Sequence, residues 1–126
     1  SMQLKDASRY APIVVRIGLS LVFIWFGINQ LLYPLNWIGC VPMSMAHMMG
    51  AHNLVFFNGI FEVVLGVLLL VGKYTRVVSL LLALHLLGIT FSVGFNEIGV
   101  RDFGLTLALV SVFLHGSDDW CFDRRT

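Results

Sequence analysis

Four apolar runs, each close to the length of a bilayer crossing, occupy most of this 126-residue chain. They are Pro12–Tyr33, Leu54–Val71, Arg76–Phe95 and Ile98–His115. A hydrocarbon core about 30 Å thick takes about 20 helical residues to cross, so each run reads as a span. The fourth is the weakest, because its uninterrupted apolar part is only Phe103–Leu114 and Arg101 and Asp102 fall in its first turn. Charged residues make up 12% of the chain, about half of what an ordinary soluble domain carries. A globule this small has a large surface for its volume and could not cover it with so few charges. The net charge of +1 excludes a basic nucleic-acid binder. The expected object is an all-α polytopic membrane protein, a single domain over residues 1–126 folded as an antiparallel four-transmembrane-helix bundle. Lipid is then its main surroundings.

Boundary residues agree with this division: Pro12 in a first turn, Pro34 after the first span, Asn53 and Thr75 as N-caps, Gly72 and Gly116 as stops. Ser1 ahead of Met2 reads as a cloning scar, and the first apolar run is too long for a signal-peptide core. Orientation follows from the basic residues beside the spans. Lys5, Arg9, Arg16, Lys73, Arg76, Arg124 and Arg125 fall on one side and Arg101 alone on the other. That bias predicts a multi-pass protein of the cytoplasmic (inner) membrane with both termini in the cytoplasm. Cys40 and Cys121 then lie on opposite sides and cannot pair.

Each predicted helix carries a stripe of small or polar residues at helical spacing. The stripes are Arg16, Ser20, Phe23, Gly27 and Gln30; Asn58, Gly59, Glu62 and Gly66; His85, Gly88 and Ser92; and Gly104, Ala108, Ser111 and His115. Helices in lipid associate through close approach of small residues and polar contacts, so the stripes are expected to face one another.

Glu62 is the most informative position. It lies ten residues before Gly72, about 15 Å from that end of the span, near the midplane. A carboxylate at that depth costs on the order of 3 kcal/mol unless protonated, paired or hydrated. His85, ten residues after Thr75 on the antiparallel neighbour, reaches the same depth. Arg16 is a competing partner, but a helical side chain leans toward its own N-terminus, which predicts that Arg16 snorkels to the headgroups. Glu62–His85 therefore ranks first. Two readings of the pair stay open: proton exchange beside a small hydrophobic ligand such as a quinone, or a neutral Glu62 hydrogen-bonded to His85 or Asn58 that holds helix register.

Gln30 closes the first span on the same side as Glu97, Arg101 and Asp102. Glu97 and Arg101 have i,i+4 spacing and Asp102 can charge-stabilise the fourth helix. With Asn58, these residues form either a stabilised loop or a polar mouth above the bundle. The loop between the first two spans holds four of the five methionines. Met45, Met48, Met49 and His52 would share one face of a helix, a ligand set suited to copper in its soft Cu(I) state. The same spacing suits an interfacial helix laid on lipid with Trp37 as its anchor. No glycine-rich phosphate loop, Cys-x-x-Cys pair or nucleophile elbow is present. Asp118, Asp119 and Asp123 read as a solvated tail or a partner contact.

Three blocks are similar to the DoxX family of small membrane proteins. VVRIGLSLVFIWFGINQLLYP resembles the family's first helix, with an early Arg, a late Gly and a closing Pro. FEVVLGVLLLVGKYTRVVSLLLALH resembles its Glu-bearing second helix, Gly stop and Thr-Arg entry to the third, and FNEIGVRDFG with FLHGSDDWCFD resembles its acidic loop and Gly-Asp ending. Where the family often has a Lys near the end of the first helix, this chain has Gln30. The resemblance implies a four-helix bundle and a loose link to quinone-dependent oxidation. It implies an accessory subunit of a quinone-linked or redox-stress process, with membrane redox subunits as partners. The alternatives are a small transporter or channel for protons, soft metal ions or a small solute, which would need to form a homo-oligomer to enclose a pore, and a purely structural partner of another membrane protein.

Overall fold

A computed structural model describes residues 7–40, 50–93 and 96–123. Among these, every extended regular element is helical: α1 (Ala11–Leu32), a 3-10 helix (Pro34–Cys40), α2 (Ala51–Val71), α3 (Thr75–Val93) and α4 (Glu97–His115). The chain is a four-helix membrane bundle. Three of the helices, over Ala11–Leu32, His52–Val71 and Glu97–His115, are long and apolar enough to cross a membrane, and α3 adds the shorter apolar stretch Thr75–Phe91. The outward surface fits lipid, with Val14, Phe91 and Leu114 each about two-thirds exposed or more.

Local chemistry explains the helix ends. Pro12 sits in the first turn of α1, where its missing N–H costs nothing and its fixed φ suits the helix. The α2 helix ends at Gly72, whose φ of 76° and ψ of 37° place it in the left-handed region while its N–H bonds back to the Leu68 and Leu69 carbonyls. Asn96 caps α4 by accepting the Gly99 N–H at 2.9 Å. Two expected caps fall elsewhere. The α2 helix starts after Gly50 rather than at Asn53, and Thr75 is the first residue of α3, its N–H and hydroxyl both donating to the Asp123 carboxylate at 3.1 Å. The capping group comes from the C-terminal tail.

The helices pack as two hairpins. Along α1 and α2 the small-residue stripes meet as expected. A Cβ at Gly27 would come within 2.8 Å of the Gly59 carbonyl oxygen, and one at Gly66 would lie 2.9 Å from Ile24 Cγ1. The α3–α4 pair packs differently. Its buried positions are Val78, Leu82, Ala83 and Leu86 against Leu109 and Val112, while Gly88, Gly104, Ser111 and His115 are exposed. Of the stripes expected to face inward on these two helices, only His85, beside Glu62, and Ala108, against the core, do so among the residues whose side chains are described. The α4 sequence offers a second stripe, Gly99, Asp102, Thr106, Leu109 and Val112, and this one turns inward because it carries a carboxylate that lipid would penalise heavily.

Candidate functional site

Two polar centres lie inside the bundle, separated by apolar side chains. At the end where α1 begins and α2 meets α3, the terminal end, Arg16 is 1% exposed. Its Nε donates to Asp118 Oδ2 at 2.7 Å, and its Nη1 donates to the Leu69 and Leu70 carbonyls at 2.8 and 2.6 Å. This overturns the expectation that Arg16 snorkels to the headgroups. The last carbonyls of α2 lack helical donors and form the negative end of its dipole, so they and Asp118 satisfy the guanidinium inside the protein.

Asp118 is buried in a tail that is tied back onto the bundle, in contrast to the solvated end expected of it. Trp120 N–H donates to Asp118 Oδ1 at 2.9 Å. The Phe122 and Asp123 amides donate to the carbonyls of Val71 and Gly72 at 3.0 Å, and the free Cys121 thiol is buried against Gly72. Burial pushes the Asp118 carboxyl up, but the Arg16 guanidinium and the Trp120 amide more than offset this, and the group titrates below its ordinary value of 3.8. Asp119, further out, pairs with Arg9 at 2.9 Å with both side chains exposed.

The second centre gathers Gln30, Asn58, Glu62 and His85. Asn58 Nδ2 donates to Glu62 Oε1 at 2.6 Å, and Gln30 Nε2 donates to the same oxygen at 3.3 Å. Asn58 Nδ2 also reaches Gln30 Oε1 at 2.6 Å. His85 Nε2 lies 3.7 Å from Glu62 Oε1, beyond hydrogen-bond distance. That nitrogen is buried and has no hydrogen-bond partner. The imidazole ring rests against Phe61, centroids 4.7 Å apart. Glu62 is halfway along α2 but sits beside the Gln30 amide, near the end of α1. The midplane estimate, made from α2 alone, therefore shifts toward the end that holds the 3-10 helix, the loop end, because α2 runs on past α1.

Of the other residues considered for a mouth, Asp102 is buried at 5% exposure and is met by Arg101, Nη2 to Oδ1, at 3.2 Å. Arg101 turns to this neighbour rather than to Glu97, and its guanidinium lies 5.2 Å from the centroid of the Phe26 ring. Glu97 is exposed in the first turn of α4. Gln30 and Asn58 thus belong to the Glu62 cluster, while Arg101 and Asp102 make a separate pair. Met45, Met48 and Met49 lie outside the described residues, and His52 is exposed in the first turn of α2. Trp37, expected as a lipid anchor, packs edge-on against Phe26 at 5.4 Å. Among the described residues no three His, Cys, Asp or Glu side chains gather as metal ligands would. A groove of about 190 Å³ opens between the first turn of α1 and the last turn of α4, lined by Pro12, Val15, Ser111 and His115. It lies at the terminal end, away from Glu62.

Asp118 and Asp123, expected in a solvated tail or a partner contact, instead meet Arg16 and Thr75 inside the chain. Both follow the Gly116 stop, and a tail leaving α4 there must pass under the α2–α3 turn, which is the signal that could have paired them with Arg16 and Thr75.

A family model described as DoxX matches residues 11–94, a stretch that holds Arg16, Gln30, Asn58, Glu62 and His85 and stops short of α4 and the tail. No curated protein and no solved structure matches the chain.

Proposed function

The chain belongs to the DoxX family, and from that premise we propose that it serves a quinone-linked or redox-stress process in the membrane as an accessory subunit. In this reading Glu62 and His85 exchange protons beside a small hydrophobic ligand. The observation that carries it is the buried, unpartnered His85 Nε2 held 3.7 Å from a carboxylate oxygen. A buried polar atom without a partner is uncommon enough to need an explanation. A ligand oxygen supplies one, and a quinone bound there would bring the electron-accepting chemistry.

The residues' own tasks follow from their contacts. Two amides aimed at Glu62 Oε1 hold that oxygen in place, at 2.6 Å from Asn58 and 3.3 Å from Gln30. In this reading a proton passes between that carboxylate and His85 Nε2, and the 3.7 Å gap closes to a hydrogen bond with a side-chain shift of under about 1 Å. Asn58 and Gln30 keep the carboxylate aimed. The basic residues Arg9, Arg16, Lys73 and Arg76 gather at the terminal end, which supports a cytoplasmic location for that end. A conducting path through the bundle is disfavoured by Phe23, Leu69, Leu82 and Leu109, all at most 2% exposed, and by the Arg16–Asp118 pair at one end.

Mass spectrometry of protein gently extracted from its native membrane tests the reading. Co-extracted quinone with a redox subunit is the expected result. Proton- or metal-dependent flux in liposomes, with no quinone, would instead establish a transporter, and a reproducible protein partner with neither would establish a structural role.

A further inference from the structure

We propose that the Glu62–His85 centre is entered sideways from the lipid, through the seam between α2 and α3, so that its ligand is a membrane-dissolved molecule with a hydroxyl or carbonyl oxygen rather than a water-borne solute. This rests on the reading of Glu62 and His85 given above and adds the route and the class of ligand.

Exposure around the centre is uneven. The Glu62 side chain is 6% exposed, whereas the His85 side chain beside it is 24% exposed. On α3, Leu81, Leu84 and Gly88 share the outer edge next to His85 and are all exposed, as successive positions three and four apart on one helical face are. A Cβ built on Gly88 meets open space, which leaves a notch one turn from His85 in a wall otherwise made of leucines. On α2, Phe57 and Val64, four residues before and three after Phe61, are exposed, and Phe61 lies over the imidazole. The seam itself is loose: α2 meets α3 over far less of its length than it meets α1.

The terminal end is closed by comparison. Between Glu62 and that end lie Leu65, Leu69, Leu82 and Phe23, all buried, and beneath them the Arg16–Asp118 pair and the tail. An apolar molecule can pass a seam walled by leucine and phenylalanine, while a hydrated solute would lose its water there without replacement. At the end of the route, His85 Nε2 offers a nitrogen whose hydrogen bond is unmade, the polar group that orients a ligand in a mostly apolar site.

Carbodiimides of opposite solubility test this by labelling Glu62 in detergent-permeabilised vesicles, with the modified peptide identified by mass spectrometry. Lipid-soluble dicyclohexylcarbodiimide is expected to modify Glu62 and a water-soluble carbodiimide to leave it intact. Gly88→Leu, which fills the notch, is expected to slow the modification severalfold, and Phe61→Ala, which uncovers the imidazole, to speed it. Gly104→Leu on α4, equally open but away from the seam, should change nothing. Labelling of Glu62 by the water-soluble reagent at a comparable rate, no labelling by the lipid-soluble one, or indifference to both seam variants would each overturn the proposal. Failure of proton exchange shows separately, as an unchanged pH profile in Glu62→Gln, and does not alter the labelling pattern.

Discussion

Arg16 and Asp118, 102 positions apart in the chain, meet at 2.7 Å with side chains 1% and 2% exposed. The contact ties the first helix to the tail that follows the last one, and it holds the α2 carbonyls in the same network. The four helices are therefore closed at one end by a buried polar clasp and held elsewhere by apolar and small-residue packing together with the Gln30–Asn58–Glu62 hydrogen bonds between α1 and α2.

Removing one member of that pair should cost far more than removing both. Asp118→Ala leaves a buried guanidinium short of its counter-charge, an error worth about 3–5 kcal/mol. The double change Arg16→Met with Asp118→Leu should recover most of that loss. Thermal unfolding in detergent reads both, and equal destabilisation by the single and double variants would refute the coupling.

The same pair sets a pH dependence. Asp118 titrates below its ordinary value of 3.8 in the folded protein, so the unfolded chain takes up the proton first as pH falls. Its contribution is fully present above the ordinary value and is lost as pH drops through the lower folded one. The unfolding midpoint should be flat above about pH 4 with respect to this group and fall below it. Asp118→Asn should lower the plateau and flatten the acid limb.

Close approach of α1 and α2 depends on glycine. Gly27→Val would force atoms against the Val63 amide nitrogen and the Gly59 carbonyl oxygen, which lie 2.9 and 2.8 Å from a Cβ. Backbone cannot yield as a side-chain tip does, so the cost should reach about 1–3 kcal/mol or more. Gly104→Ala, which meets nothing within 4 Å, should be neutral or stabilising by up to about 1 kcal/mol. Unfolding midpoints of the two variants should diverge in that direction.

Glu62→Gln separates charge from shape. The replacement keeps an oxygen for Asn58 to donate to, so the bundle should retain its stability within about 1 kcal/mol. Activity measured against pH in the native membrane should fall and lose its dependence on a carboxyl group. A variant with full activity and the parental profile would leave Glu62 a purely structural role.

Much of the architecture was legible because hydropathy and capping act locally. Gly72 and Gly116 stop α2 and α4 as their positions suggest, and the start of α1 needed only Pro12 and the apolar run after it. The Gly27, Gly59 and Gly66 seam was readable as well, since small residues at helical spacing in lipid have few other uses. Less of the polar interior was readable. Depth counted along α2 brought His85 to Glu62, but the place of Gln30 depended on how far α2 overruns α1.

The sequence by itself determined the class of the protein, the number and approximate extents of its helices, and the presence of ionisable groups within the apolar runs. Tertiary structure decided which face of α3 and α4 turns inward and where Arg16 finds its counter-charge. Two stripes at helical spacing coexist on α4, and periodicity weighs them alike. Only the assembled bundle, in which Asp102 must leave the lipid and Asp118 must be folded back beneath Arg16, distinguishes them. The cost of a buried charge depends on what surrounds it in space rather than on its neighbours in the chain.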